Sequence, residues 1–149
     1  MPTSRSRRHF LKSVAAASTF AVPHIVPSHV LGRDGAVAPS ERITLGGIGV
    51  GNRGSYVLSR FLKNPDLQMV ATADLQRSRR EKVKAMVDKH YGNKDLVIYR
   101  DMYDILGRED IDAVLITTGD RWHTLASILA AKAGKDIYCE KPCSMTIEE

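Results

Sequence analysis

Several things are scarce in this sequence, and each scarcity closes a class of function. Among 149 residues there are two cysteines, Cys139 and Cys143, too few for a four-ligand metal site or a disulfide framework. They read as small packing residues, with a single disulfide as the alternative, and no metal is expected. The one apolar run near the N-terminus, Val14 to Val22, is closed by Pro23 and His24. It falls well short of the roughly 20 apolar residues that a membrane-spanning helix needs. No repeat and no low-complexity segment is present, and no Asn-Gly hairpin signal separates the β-type runs described below. What is abundant is ordinary: 43% hydrophobic and 26% charged residues describe a globular chain with enough apolar side chain for a packed core.

The formal charge of +5, from 22 basic and 17 acidic residues, raises the question of a nucleic-acid partner. Its distribution argues against one. Residues 1–40 hold Arg5, Arg7, Arg8, Lys12 and Arg33 against Asp34, a net of +4, and the 17 basic and 16 acidic residues that follow leave +1. A nucleic-acid surface needs a concentrated basic face. The local candidate, Arg77, Arg79, Arg80, Lys82 and Lys84, reads as the solvated face of a helix.

Residues 1–40 read as an address. Ser6-Arg7-Arg8-His9-Phe10-Leu11-Lys12 ahead of the short apolar run resembles a twin-arginine export signal, which stands apart from the fold. That resemblance implies the twin-arginine export machinery as a partner and an extracytoplasmic or periplasmic location. Cleavage after either Thr19-Phe20-Ala21 or Ala36-Val37-Ala38 fits the small-residue rule. Pro39-Ser40 reads as the last linker before a domain spanning residues 41–149.

From Glu41 onward the sequence alternates between strand and helix signals. Ile43 to Gly49, Leu67 to Ala73, Leu96 to Tyr99, Ile111 to Thr117 and Asp136 to Cys139 read as strands. Between them lie helical patterns on Val57, Leu58, Phe61 and Leu62, then on Val83, Met86, Val87 and His90. Two more follow, on Met102, Ile105 and Leu106 with Gly107 as cap, and on Trp122, Leu125, Ala126, Leu129 and Ala133. Strands joined by helices imply crossovers and a parallel sheet, so the expected fold is a doubly wound, Rossmann-like α/β domain.

Gly49-Val50-Gly51-Asn52-Arg53-Gly54 matches G-x-G-x-x-G at the junction of the first strand and first helix. There the first glycine makes a tight turn, the second admits a pyrophosphate to the backbone, and the third seats the helix on the strand. The helix N-terminus offers unpaired N–H groups to phosphates. Asp74 ends the second strand 20 residues after Gly54, where an acid accepts hydrogen bonds from an adenosine ribose. It favours NAD, while Arg77 and Arg79 keep NADP open. A helix-capping role for Asp74 and an S-adenosylmethionine site are the competing readings. Finally, Glu140-Lys141-Pro142 leaves the carboxyl end of the fifth strand, the edge at which open α/β sheets bind ligands, and a lysine there can assist deprotonation of a hydroxyl.

The ordered set of Gly49 to Gly54, Asp74, Asp110-Ile111-Asp112-Ala113-Val114, Trp122-His123, Ala133-Gly134-Lys135 and Glu140-Lys141-Pro142 resembles the Gfo/Idh/MocA family of NAD(P)-dependent oxidoreductases. The resemblance implies that Lys141 sits beside nicotinamide and substrate as a catalytic residue, with Glu140 and Pro142 shaping its loop. It implies that Thr117, Thr118, Trp122 and His123 border the cofactor, His123 in a catalytic part. It also implies a carbohydrate-like small-molecule substrate and a second α/β domain that chooses that substrate and carries homo-oligomer contacts. On that reading the present sequence is an N-terminal fragment. Family glycosidases that use NAD without net redox change are the alternative, although valine commonly stands there in place of Lys141. A non-catalytic dinucleotide-binding fragment is the remaining one.

Overall fold

The computed structural model of the chain describes residues 37–148; the arginine pair and both candidate cleavage segments lie outside or at the margin of that range. A single turn of 3-10 helix over Pro39–Glu41 leads into β1 (Ile43–Ile48). Then come α1 (Asn52–Phe61), β2 (Leu67–Ala73), α2 (Arg77–Tyr91), β3 (Val97–Tyr99), α3 (Met102–Leu106), β4 (Ala113–Ile116), α4 (His123–Lys132) and β5 (Asp136–Cys139). All four strand pairings are parallel, in the order β3-β2-β1-β4-β5. The expected doubly wound sheet is therefore present. Its order turns back between β1 and β4, and that switch point opens a crevice at the carboxyl edge.

The central strands are buried on both faces because helices cover both. Leu115 packs with Leu45, Leu58, Met69, Val83 and Val87 on the side of α1 and α2. Its neighbours Val114 and Ile116 point the other way, to Ile48, Ile105, Ala126 and Ala130 on the side of α3 and α4. Continuous apolar runs such as Val114-Leu115-Ile116 are what a doubly covered strand requires.

Two helix ends follow local chemistry. Gly92 takes φ +71° after α2, and its N–H donates to the Asp88 carbonyl at 2.8 Å. Asp101 caps α3 by accepting the Tyr103 N–H at 3.1 Å. Two expectations need correction. Gly107 stays right-handed at φ −78°, so α3 stops without a left-handed cap. The apolar stripe assigned to α4 is also rotated: His123, Ala126 and Ala130 are the buried positions, while Trp122 and Leu125 are 49% and 42% exposed. Apolar residues occupy most faces of α4, so its period is ambiguous, and small alanines win the inner face because they let the helix approach the sheet. No helix among the described residues is long and apolar enough to cross a membrane.

Candidate functional site

The carboxyl ends of β1, β2, β4 and β5 converge on one edge. Gly49 turns the chain out of β1 at φ +68°, and its N–H donates to the Ala73 carbonyl at 2.8 Å. A Cβ there would lie 2.8 Å from the Thr118 Cα, so both conformation and space demand glycine. Gly54, one turn into α1, would drive a Cβ to 2.2 Å from Thr117 Oγ1; its lack of a side chain lets α1 lie against the end of β4. The Thr117 hydroxyl in turn donates to the Gly49 carbonyl at 3.2 Å, bracing the turn. Val50 is 1% exposed and belongs to the core, so only its backbone faces the edge. Gly51 is the N-cap of α1 and no side chain caps the first turn, which leaves backbone donors there for an anion.

Two clefts flank this turn and share Thr118. The first, of about 490 Å³, is lined by Asp74, Gln76, Arg79, Met102, Tyr103 and Trp122 among others. Asp74 is 8% exposed. One carboxylate oxygen accepts the Gln76 N–H at 2.8 Å, and the other lies 3.9 Å from the Arg79 guanidinium. That guanidinium is also the group a Cβ on Gly51 would meet, at 3.4 Å. The basic stretch on α2 is a largely exposed helix face, as expected, with Arg77, Arg79 and Lys82 exposed, and most of its charges also have local partners. Arg77 pairs with Glu81, Arg80 donates to the Asp74 and Leu75 carbonyls, and Lys84 reaches Asp88 and the Leu96 carbonyl.

The second cleft, of about 370 Å³, is lined by Arg53, Thr117, Thr118, Asp120, His123, Glu140 and Lys141. Arg53 makes a two-pronged contact with Glu140, Nε at 3.2 Å and Nη2 at 3.1 Å from the same carboxylate oxygen, joining the glycine turn to the loop after β5. Lys141 is exposed, and its ammonium has no ion-pair or hydrogen-bond partner among the described residues. His123 is 2% exposed. Its Nδ1 lies 2.8 Å from the Pro142 carbonyl oxygen and its Nε2 3.1 Å from that of Thr118. Cys139, half-buried at the end of β5, has its thiol pKa pushed up by burial.

These residues fit a dinucleotide. Thr118 stands where the clefts meet, and its Oγ1 is buried without a hydrogen-bond partner among the described residues, a cost of about 1–3 kcal/mol unless a ligand supplies one. An uncapped helix N-terminus lies between an acid on one side and a lysine on the other. Residues 43–149 match the oxidoreductase family described by an NAD-binding Rossmann fold. The chain belongs to this family. It is 31% identical over 163 aligned residues to a glycosyl hydrolase family 109 protein of Shewanella sp. strain W3-18-1, covering 96% of this chain and 35% of that one. Among solved structures it resembles a putative myo-inositol dehydrogenase of Sinorhizobium meliloti 1021, with TM-score 0.60, 32% identity, and 71% and 30% of the two chains covered. It also resembles apo scyllo-inositol dehydrogenase of Lactobacillus casei, with TM-score 0.63, 26% identity, and 72% and 31% covered. The chain thus spans about a third of the length of the relatives it matches.

The edge gathers Gly49, Gly51, Asn52, Arg53, Gly54, Asp74, Thr117, Thr118, Glu140 and Lys141, all expected from sequence. Trp122 lines the Asp74 cleft and not the Lys141 cleft. Arg79, which the sequence reading weighed only for the choice between NAD and NADP, lines the first cleft, and so do Met102 and Tyr103, which were not site candidates. Arg79 had a signal, five positions past Asp74 in the first turn of α2; Met102 and Tyr103 had none.

Proposed function

We propose that this chain is the cofactor-binding part of an exported dehydrogenase acting on a hydroxyl-bearing carbon of a sugar or polyol. The observation that carries the reading is the Lys141 ammonium, without a partner among the described residues and set at the second cleft by a loop that Arg53 ties to the glycine turn. When bound, NAD supplies the nicotinamide carbon that takes up or gives up hydride. The protein's own residues do the rest. Asp74 accepts hydrogen bonds from the ribose, and Arg79 beside it leaves room for an NADP phosphate. The first turn of α1 and Thr118 hold the phosphates and sugar, and Lys141 moves the proton at the substrate hydroxyl. The similarity to inositol dehydrogenases supports a polyol substrate, and the twin-arginine pattern supports export.

In the full-length protein, Lys141→Met is expected to lower turnover by about 100-fold or more and to leave NADH fluorescence titration nearly unchanged. Wild-type turnover in that variant would remove Lys141 from its role.

The similarity to a glycosyl hydrolase family 109 protein favours a second reading, a glycosidase that oxidises its substrate transiently and regenerates its tightly held cofactor. Lys141 weighs against it, since family glycosidases commonly carry valine there. Release of nitrophenol from a nitrophenyl glycoside with no added cofactor would establish this second activity; strict dependence on added NAD, with a carbonyl product, would establish the first.

A further inference from the structure

We propose that His123 is a positioning residue: its ring clamps the two walls of the Lys141 cleft together, and it does not carry protons to or from substrate. Both ring nitrogens face backbone carbonyl oxygens, Pro142 at 2.8 Å on one wall and Thr118 at 3.1 Å on the other. Carbonyls only accept, so each contact needs an N–H from the ring. A neutral imidazole carries one and bonds one wall; a ring with two bonds both. In either form the ring is 2% exposed, and neither nitrogen is turned to the space where a substrate hydroxyl would lie.

What the clamp holds is specific. On one wall is the loop after β5. The Thr124 hydroxyl also holds it by donating to the Cys143 carbonyl at 2.9 Å, and Arg53 does so through Glu140. The loop is thus tied from α1 and from the first turn of α4, while the Lys141 ammonium stays without a partner among the described residues. On the other wall is Thr118, whose hydroxyl is the orphaned polar atom where the two clefts meet. His123 fixes the separation between these two unpaired groups, the ones left for cofactor and substrate. The titratable and charged side chains lining the cleft with it are Arg53, Asp120, Glu140 and Lys141, all on or beside its rim.

This inference rests on the dinucleotide reading of the edge, so its test includes readouts independent of turnover. In the full-length protein, His123→Gln keeps an amide that reaches one wall, and His123→Leu keeps bulk without a donor. Amide hydrogen exchange at residues 118, 140, 141 and 143 is expected to accelerate in the order wild type, Gln, Leu, with exchange in β1 and β2 unchanged. NADH affinity is expected to fall modestly and kcat to fall by about 10-fold in Gln and about 100-fold in Leu. The pH profile of kcat should keep its shape in Gln. In the unmutated protein at least one His123 ring N–H should be protected from solvent exchange, a reading that holds even if neither variant folds. A rapidly exchanging ring, a lost limb of the pH profile in Gln, or restoration of the Leu variant by free imidazole would overturn the clamp. Failure of wild type to bind NADH with the exchange pattern intact would instead discard the dinucleotide reading and leave the clamp standing.

Discussion

Thr117 carries more of the site than a side chain 7% exposed at a strand end would suggest. Its hydroxyl braces Gly49 and its bulk sets how close α1 can lie, so the pair Thr117–Gly54 fixes where the phosphate-facing helix begins. Gly54→Ala is therefore expected to cost about 1–3 kcal/mol by overpacking, read as a lower melting temperature, with dinucleotide affinity falling in parallel because α1 must move to admit the methyl group. A variant with unchanged melting temperature would show that the contact relaxes freely. Asp74 has a comparable double use. One oxygen accepts the Gln76 N–H in the turn before α2, a helix whose first turn no side chain caps, and the other stays beside Arg79, so the expected capping role is not seen and the second oxygen is left for the proposed ribose contact. The glycines and Asp74 were legible in the sequence because they form a contiguous motif with a fixed spacing. His123 is different: its partners are backbone carbonyls of Thr118 and Pro142, and an acceptor present at every residue leaves no signature in a sequence.

At the level of elements, β1 and β4 are stapled at the end away from the clefts. The Asp112 carboxylate accepts the Thr44 N–H and the Thr44 hydroxyl, each at 2.7 Å, and these bonds hold its pKa below the ordinary carboxylate range. A carboxyl depressed in the folded state adds stability that is complete above the unfolded value and lost as pH falls through the depressed one. Melting temperature should therefore drop as pH falls from about 5 to about 3, and Asp112→Asn should flatten part of that slope; an unchanged slope would mean that the staple contributes nothing. The same strands show what the sequence could and could not convey. β2 and β5 have the bounds read from their apolar runs. Pairing in β4 covers only Ala113–Ile116 of the expected Ile111 to Thr117, because the flanking residues sit at the loops on either edge. The inner face of α4 was hidden by apolar residues all round the helix. Met102 and Tyr103 reach the first cleft only because α3 crosses beside β2, a placement set by topology and invisible to local spacing.

On the scale of the whole molecule, the net charge of +5 says little about the domain, since most of it belongs to the first 40 residues and several arginines of α2 are engaged in bonds within the fold. If those residues form a twin-arginine signal, replacing both Arg7 and Arg8 by Lys should retain the full-length protein in the cytoplasm, as cell fractionation would show; unaffected export would reject the signal. The rest of the chain is organised around one edge, where four strand ends, an uncapped helix and the Glu140-Lys141-Pro142 loop meet. The proposed function rests on that edge binding a dinucleotide across both clefts. Calorimetric titration of the full-length protein with NAD, NADP and S-adenosylmethionine tests this most directly. One NAD or NADP per chain is expected, with binding weakened in Asp74→Ala and retained in Lys141→Met. Binding of S-adenosylmethionine alone, or of none of the three, would contradict it.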